Sequence, residues 1–280
     1  MNERQMICAK TLLRSSSCSI DPIHEKDLKV CAHWREKKRR AIAMDAWIED
    51  LSMKLQKAHD KDAVFARILE VARDVGFDHC AYGVRLPLPI ASPKFLLINN
   101  YPAPWRERYA AAGYLATDPT VAHGRRTQNP LVWSDAVFAD TPELWDGAHS
   151  FGLSVGWSQS SFDANGVMGM FSLARSGEAI TARELEAKEL RMRYLACVAH
   201  HMLSRTLSSS SERAPEIFLT KREIEILKWL ADGKSSREIS DILHIAFDTV
   251  NFHVKNVITK FGTPNKTAAV VRAVLMGLVD

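Results

Sequence analysis

A chain of 280 residues with 46% hydrophobic and 25% charged residues has the composition of ordinary globular domains and the length of two of them. No run approaches about 18 uninterrupted apolar residues, and the first twenty residues lack the apolar centre of a signal peptide, so neither a membrane span nor secretion is expected. The net charge of +4 is uneven, with +5 over residues 1–43, −2 over 44–211 and +1 over 212–280. The five cysteines, Cys8, Cys18, Cys31, Cys80 and Cys197, are scattered and form no C-x-x-C pair. That excludes a disulfide framework and a zinc site, and points to a reduced, cytoplasmic protein without a metal.

Residues 1–43 end in the basic run Arg35-Glu36-Lys37-Lys38-Arg39-Arg40. Three readings fit this segment. It is a solvated, poorly ordered extension, a basic arm that touches nucleic acid, or the product of an over-long start, since Met44 opens the first amphipathic helix.

Hydrophobic periodicity predicts helices over 44–58 and 61–75, the second with Phe65, Ile68, Leu69 and Ala72 on one face and Gly76 as its stop. Strands are predicted over 78–86 and 94–100, on either side of Pro87-Leu88-Pro89. A helix near 103–112 follows, because Pro102 and Pro104 can start a helix but not sit inside one. The runs 152–161 and 167–174 flank Asp163-Ala164-Asn165-Gly166 and form a β-hairpin. Residues 181–206 make a long amphipathic helix, with Leu185, Met192, Leu195, Val198 and Met202 on one stripe. Strands in the middle and helices on both sides predict a layered α+β domain.

Within it, Tyr101-x-x-x-Trp105-x-x-x-Tyr109 is followed by Asp118-Pro119-Thr120 and Trp133. Four-residue spacing puts Tyr101, Trp105 and Tyr109 on one helical face. Such a stripe serves as core or as ligand box. Aromatics with polar tips need partners when buried, and a nearby aspartate makes a purely apolar interior costly. The acidic pocket and matching lysine of a phosphorylated receiver do not occur before residue 150. No Ser-His-Asp or Cys-His arrangement is legible, so no catalytic residues are assigned. His200-His201 has no partner at metal spacing and is expected at the surface or in a dimer contact, while Cys80 and Cys197 are expected in the core.

Ser208 to Ser211, followed by Glu212-Arg213-Ala214-Pro215, is a linker by composition. Beyond it the pattern is purely helical, over 220–232, 235–243, 247–261 and 265–278. Thr220-x-x-Glu223 and Ser235-x-x-Glu238 are capping boxes, and Gly233 falls where a helix end needs a left-handed residue. Ile224, Leu227 and Leu230 are expected inside from the first helix, and Val271, Val274, Leu275 and Leu278 from the last. The turn Leu243-His244-Ile245-Ala246 joins two short helices in a helix-turn-helix, whose second helix can enter a DNA major groove.

That helix, from Thr249 to Lys260, contains no acid. Thr249, Val250, Val254 and Val257 have the spacing of an inner face, with Asn251, Phe252 and Lys255 pointing outward. Asparagine can pair with adenine, lysine with guanine, and an apolar ring can touch a thymine methyl. Lys234, Thr249, Lys260 and His253 suit phosphate contacts, and Asn256 lies on the same stretch. A helical interaction module with a solvated basic face fits the same pattern.

The stretch Leu219-Thr220-x-Arg222-Glu223, Ile226-Leu227-x-Trp229, Gly233-Lys234, Glu238-Ile239, Thr249-Val250-x-Phe252-His253, Asn256, Lys260-Phe261-Gly262 and Asn265-Lys266 closely resembles the LuxR-type helix-turn-helix domain over about 60 residues. It departs in having Ala246 where the family has a serine N-cap, a loss that typically costs ~0.5–2 kcal/mol; Asp248 favours the positive helix start. Asn100-Tyr101-Pro102 through Trp133 resembles the autoinducer-binding domain of LuxR-type quorum-sensing regulators, and the likeness extends over roughly residues 44–206.

The resemblance implies an N-terminal α/β/α sandwich with an antiparallel sheet, a linker at 207–217 and a four-helix DNA-binding domain at 218–280. It implies N-acyl-homoserine lactone as effector and no cofactor. Trp105 would donate to the lactone carbonyl, Asp118 would accept from the ligand amide, and Tyr101 with Ser172 would donate to the acyl carbonyl. Trp133, Tyr109 and Phe138 would wall the ligand, Thr120 belongs to the same set, and Gly156 packs backbone. An Asp118 left unpaired in an empty pocket would couple folding to ligand. The partners implied are double-stranded DNA, a second copy of the chain and RNA polymerase, with transcriptional activation at a palindromic element.

Overall fold

The computed structural model describes residues 42, 44–58, 60–86, 93–163, 167–209 and 217–279. The basic segment up to Arg40, the Pro87-Leu88-Pro89 turn, the 164–166 tip of the hairpin and linker residues 210–216 lie outside the described residues. The chain divides into two units, Met1–Lys57 and Ala58–Asp280. In the first, residues 44–56 form helix α1.

The second unit begins with α2 (Lys61–Val75), capped by the Asp60 carboxylate, which accepts from the Ala63 amide at 2.8 Å. Gly76 ends it at φ 100°, a left-handed conformation that glycine adopts without penalty. The core face carries Val64, Phe65, Ile68, Val71 and Ala72, while Leu69 is half-buried. Then come β1 (His79–Arg85), β2 (Phe95–Asn99), α3 (Ala103–Ala111), a 3-10 turn (Tyr114–Ala116), α4 (Pro119–Gly124), β3 (Leu131–Val132), α5 (Pro142–Ser150), β4 (Val155–Phe162), β5 (Met168–Arg175) and α6 (Ala182–Ser209).

The five strands form one antiparallel sheet in the order β2-β1-β5-β4-β3. Strand alternation sends successive side chains to opposite faces. Tyr82, Trp157, Phe171 and Leu173, each 1% exposed or less, lie in the layer that α2 and α6 cover. The other face belongs to a cavity roofed by α3, α4 and α5. This is the layered α+β architecture expected.

At the end of the central strand β5, Arg175 grips Glu184 with two hydrogen bonds of 2.7 and 2.8 Å and reaches the Gly76 carbonyl at 3.2 Å. Hydrogen bonds from Arg175, and then from Lys188, outweigh burial and hold the Glu184 carboxyl down at about 2. This fastens the end of β5 to the first turn of α6.

Several details differ from the sequence expectations. The inner stripe of α6 is Met192, Leu195, Ala196, Ala199 and Leu203, whereas Leu185, Val198 and Met202 are only half-buried. His200 is not at the surface: it is 5% exposed, and its Nδ1 lies 2.9 Å from the Tyr82 hydroxyl. A Cβ on Gly169 would collide with both rings, so the glycine makes room for the pair. Cys80 is buried, and burial pushes its thiol up to about 12; Cys197 is exposed rather than in the core.

The C-terminal helices are α7 (Lys221–Ala231), α8 (Ser236–Leu243), α9 (Phe247–Phe261) and α10 (Lys266–Leu275). Both capping boxes are formed, at Thr220–Glu223 and Ser235–Glu238. His244 closes α8 at φ 52°, a left-handed position that non-glycine residues occupy only locally. Ile226, Ile239, Val250 and Val254 form one apolar cluster; Leu227, Val257, Phe261, Ala269 and Ala273 form another. The buried face of α10 is therefore alanine, not valine and leucine, and Val274 is 50% exposed. Ile224 and Leu230 are half-buried.

Candidate functional site

A cavity of about 400 Å³ lies against the open face of the sheet, and it is lined by Tyr101, Trp105, Tyr109, Asp118, Thr120, Trp133, Phe138 and Ser172. All eight residues named from the sequence for the ligand site thus surround one space. Tyr101 precedes α3, whose N-cap is Pro102, and Trp105 and Tyr109 follow one turn apart with ring centroids at 6.0 Å. Trp105 is 3% exposed and also stacks on Tyr114 at 6.1 Å.

Asp118 is the N-cap of α4. Its Oδ1 accepts from the Thr120 amide at 2.8 Å and the Thr120 hydroxyl at 2.7 Å, and its Oδ2 accepts from the Tyr109 hydroxyl at 2.9 Å. The expectation of an unpaired aspartate is corrected here: three donors hold the carboxylate, leaving capacity for about one more on Oδ2. Burial first, and then the Asp118 charge, raise the Tyr109 phenol, so it remains a donor. Tyr101 is raised in the same direction by burial, then by Cys80 and Asp118. Among the described residues, neither the Tyr101 hydroxyl nor the Trp105 indole N–H has a hydrogen-bond partner. The uncommitted polar groups are therefore two donors, not the aspartate.

A relay missed in the sequence runs behind the cavity. The Trp133 indole donates to Ser158 Oγ at 2.9 Å, and Ser158 Oγ lies 2.7 Å from Ser172 Oγ. With Ser158 Oγ accepting from Trp133 and donating its own O–H to Ser172 Oγ, the Ser172 O–H is free to donate into the cavity. Gly156 permits this arrangement, since a Cβ there would fall inside the Trp133 indole. Phe138 stacks on Trp145 at 4.4 Å, and the Trp145 indole donates to Asp135 at 2.8 Å. Only the alternation of β4 pointed to Ser158, and Trp145 lies on a helix whose nine residues show no long periodicity.

The floor is ruled by strand register. Ala81, Gly83 and Arg85 of β1 line the cavity, and Ser172, Met170 and Met168 of β5 stand beside them in that order. Asn99, Leu97 and Phe95 of β2 flank the other side. The row at Ser172 is polar; in the row at Met170 the lining residues carry no polar side chain, and Ser160 of β4 beside them donates its hydroxyl to the Thr127 carbonyl at 2.8 Å; the row at Met168 carries Arg85. Among the described residues, no cluster of His, Cys, Asp or Glu could hold a metal, and no helix is long and apolar enough to cross a membrane.

The second candidate site is α9. Val250, Val254, Val257 and Phe261 are buried, which turns Thr249, Phe252 and Lys255 outward, Phe252 being 59% exposed; Asn251, His253 and Asn256 are half-buried. Thr249 thus belongs to the outer face, not the inner. Lys234, just before α8, is half-buried and its charge acts on the Glu238 carboxylate, whereas Lys255 forms no ion pair among the described residues. Lys260 differs: its ammonium donates to Glu223 at 2.7 Å, inside the domain. Burial would raise the Glu223 carboxyl, but hydrogen bonds from Lys260 and Thr220 outweigh it and hold the group below its ordinary value. Ala246 caps α9 with no side-chain hydrogen bond, as its missing hydroxyl requires.

Comparison with known proteins places both regions. Residues 60–203 match the autoinducer binding domain, and residues 218–273 match the luxR family of bacterial regulatory proteins. The transcriptional activator protein AnoR of Acinetobacter nosocomialis is 39% identical, over 84% of this chain and 100% of its own. The HTH-type quorum-sensing regulator RhlR of Pseudomonas aeruginosa is 39% identical, over 83% of this chain and 96% of its own. The solved structure of SdiA in complex with octanoyl-rac-glycerol superposes with a TM-score of 0.71 at 34% identity, covering 84% of this chain and 96% of that one.

Proposed function

We infer, from the premise that the chain belongs to the luxR family of regulators with an autoinducer-binding domain, that it is a receptor for an N-acyl-homoserine lactone which acts on DNA as a homodimer. The family is one of transcriptional regulators, and the chain is a regulator rather than an enzyme. The observation that carries the reading is one cavity bringing two uncommitted donors, Tyr101 and Trp105, next to a fixed acceptor, Asp118.

In this reading Trp105 donates to the lactone carbonyl. Asp118 accepts the amide N–H on the remaining lone pair of Oδ2, and Thr120 and Tyr109 keep that carboxylate aimed. Tyr101 and Ser172 donate to the acyl carbonyl, while Trp133, Tyr109 and Phe138 wall the ligand. An unfilled apolar cavity forfeits packing, so ligand stabilises the domain spanning residues 44–206 by mass action. The expected linker at 207–217 starts later, because α6 continues to Ser209, and it joins the domain to the reader at 218–280.

Two such readers related by a twofold axis match a palindromic element with half-sites about one helical turn apart. Asn251, Phe252, Lys255 and Asn256 face base edges, and Lys234, Thr249 and His253 take phosphates. Lys260 reaches a phosphate only by sharing its ammonium with Glu223. Bound ligand activates transcription through contact with RNA polymerase, in the cytoplasm.

The test is selection from a random duplex library by the full chain, with and without N-decanoyl-homoserine lactone. An inverted repeat recovered only with lactone supports the proposal; recovery of asymmetric sites, or no dependence on lactone, contradicts it. The SdiA complex with octanoyl-rac-glycerol favours one second reading, a receptor for a different acylated molecule. In that case 1-octanoyl-glycerol, and not the lactone, would support recovery.

A further inference from the structure

We infer that the cavity measures acyl-chain length by strand register and centres on chains of about ten to twelve carbons. This rests on the lactone reading above and specifies the ligand class of the same site. Ser172, the donor for the acyl carbonyl in that reading, marks one row of the floor; Met170 and Met168 mark the next two. From Ser172 to Met168 is four residues of β5, or about 13 Å at the strand rise of ~3.3 Å per residue. An extended carbon chain with bonds of ~1.5 Å and angles near 111° advances about 1.25 Å per bond, so ten or so bonds separate the carbonyl carbon from the last row.

The floor chemistry sets both limits. The middle row presents Gly83, Met170 and Leu97 to the cavity, and the Ser160 hydroxyl in the same register is spent on the Thr127 carbonyl. A short chain would stop there and leave the Met168 and Met170 side chains without apolar contacts from the ligand. The outer row pairs Met168 with Arg85, the last residue of β1. Arg125 lines the same cavity, and Gly124 before it is where an added Cβ would lie 3.5 Å from Met168 and 3.3 Å from Met170. Guanidinium heads stay hydrated, so a tail longer than the third row would push methylenes against charge. Two methionines in the channel adapt their shape easily, which makes the optimum broad, about two carbons either way.

The experiment is thermal stabilisation of the full chain by N-acyl-homoserine lactones of four to fourteen carbons, repeated with Gly83→Leu. A Cβ at Gly83 meets only Leu97, at 3.5 Å, so the backbone tolerates a side chain there while the cavity does not. The wild type should peak at about ten to twelve carbons and fall at fourteen. Gly83→Leu should shift the peak to about six carbons, where the middle row is reached, and weaken the twelve-carbon response on the order of a hundredfold relative to six. If that variant does not fold with any lactone, Met168→Trp at the outer row should shorten the optimum by about two carbons. A wild-type peak at four to six carbons, or foldable variants with an unchanged profile, overturns the ruler and leaves the lactone receptor standing. A flat response to every chain length overturns the lactone reading itself.

Discussion

Lys260 and Glu223 form an ion pair at 2.7 Å between α9 and α7, and the carboxylate is only 2% exposed. A lysine at the end of a recognition helix is thereby turned into a fastener for the domain. Removing one partner of a fully buried pair typically costs about 3–5 kcal/mol; here the lysine is 36% exposed and the Thr220 amide still donates to Glu223, so the cost lies below that range. Lys260→Met should therefore lower the unfolding midpoint of the C-terminal domain clearly. Lys255→Met should leave that midpoint unchanged but weaken DNA binding and reduce the salt slope by about one. Denaturant melts and DNA titrations at several salt concentrations separate the two.

The N-cap of α9 offers a stabilising change. Ala246 already has the extended backbone of a cap, with φ −63° and ψ 141°, but no side-chain acceptor. Ala246→Ser should add about 0.5–1 kcal/mol, seen as a raised thermal midpoint of the C-terminal domain.

His200 gives the N-terminal domain a pH dependence. Burial lowers its pKa below the ordinary 6.5, against the opposing pull of Asp163, with His201 adding slightly to the lowering. Around the pair stand Tyr82 from β1 and Asp163 after β4, while Ser204 on α6 hydrogen-bonds Tyr82. A histidine held neutral when folded binds fewer protons than the unfolded chain, so its stabilisation is complete above 6.5 and is lost as pH falls through the depressed value. The thermal midpoint should drop between pH 7.5 and 5.5, with a smaller drop in His200→Gln. An identical pH profile in the variant would remove His200 as the cause.

Trp105→Phe keeps a ring against Tyr109 and Tyr114 but deletes the indole N–H. One hydrogen bond of ordinary worth should be lost, raising the lactone concentration for half-maximal stabilisation by about tenfold, with little change in the ligand-free midpoint. An unchanged dose–response curve contradicts the assigned pose.

The long elements were legible because periodicity and stops agree: α2, with Asp60 and Gly76 at its ends, and α9, with Gly262 at φ 59°, have the bounds expected. The 3-10 turn at Tyr114–Ala116, α4, β3 and α5 were not, since none exceeds nine residues and each begins at or directly after a break, Gly113, Pro119, Pro130 and Pro142. The positions of the eight cavity residues followed from motif resemblance, but their bonding did not. Two donors to Asp118 come from Thr120 in its own cap, but the third depends on the chain between α3 and α4 bringing Tyr109 to it, and the Ser158–Ser172 contact depends on sheet register; neither is written in a local pattern. The burial of His200 is not legible in the sequence, because a histidine pair on a helix looks solvated until Tyr82, 118 positions away, supplies its partner.

The most direct test of the lactone receptor is the thermal midpoint of the full chain with N-decanoyl-homoserine lactone against the same molecule with its ring hydrolysed. At a hundredfold excess over the dissociation constant, binding should add about 2.7 kcal/mol and raise the midpoint by roughly 5–10 °C. The hydrolysed form places a carboxylate near Asp118 and should add little. Equal shifts from the two forms, or none from either, would contradict recognition of the lactone by Trp105 and Asp118.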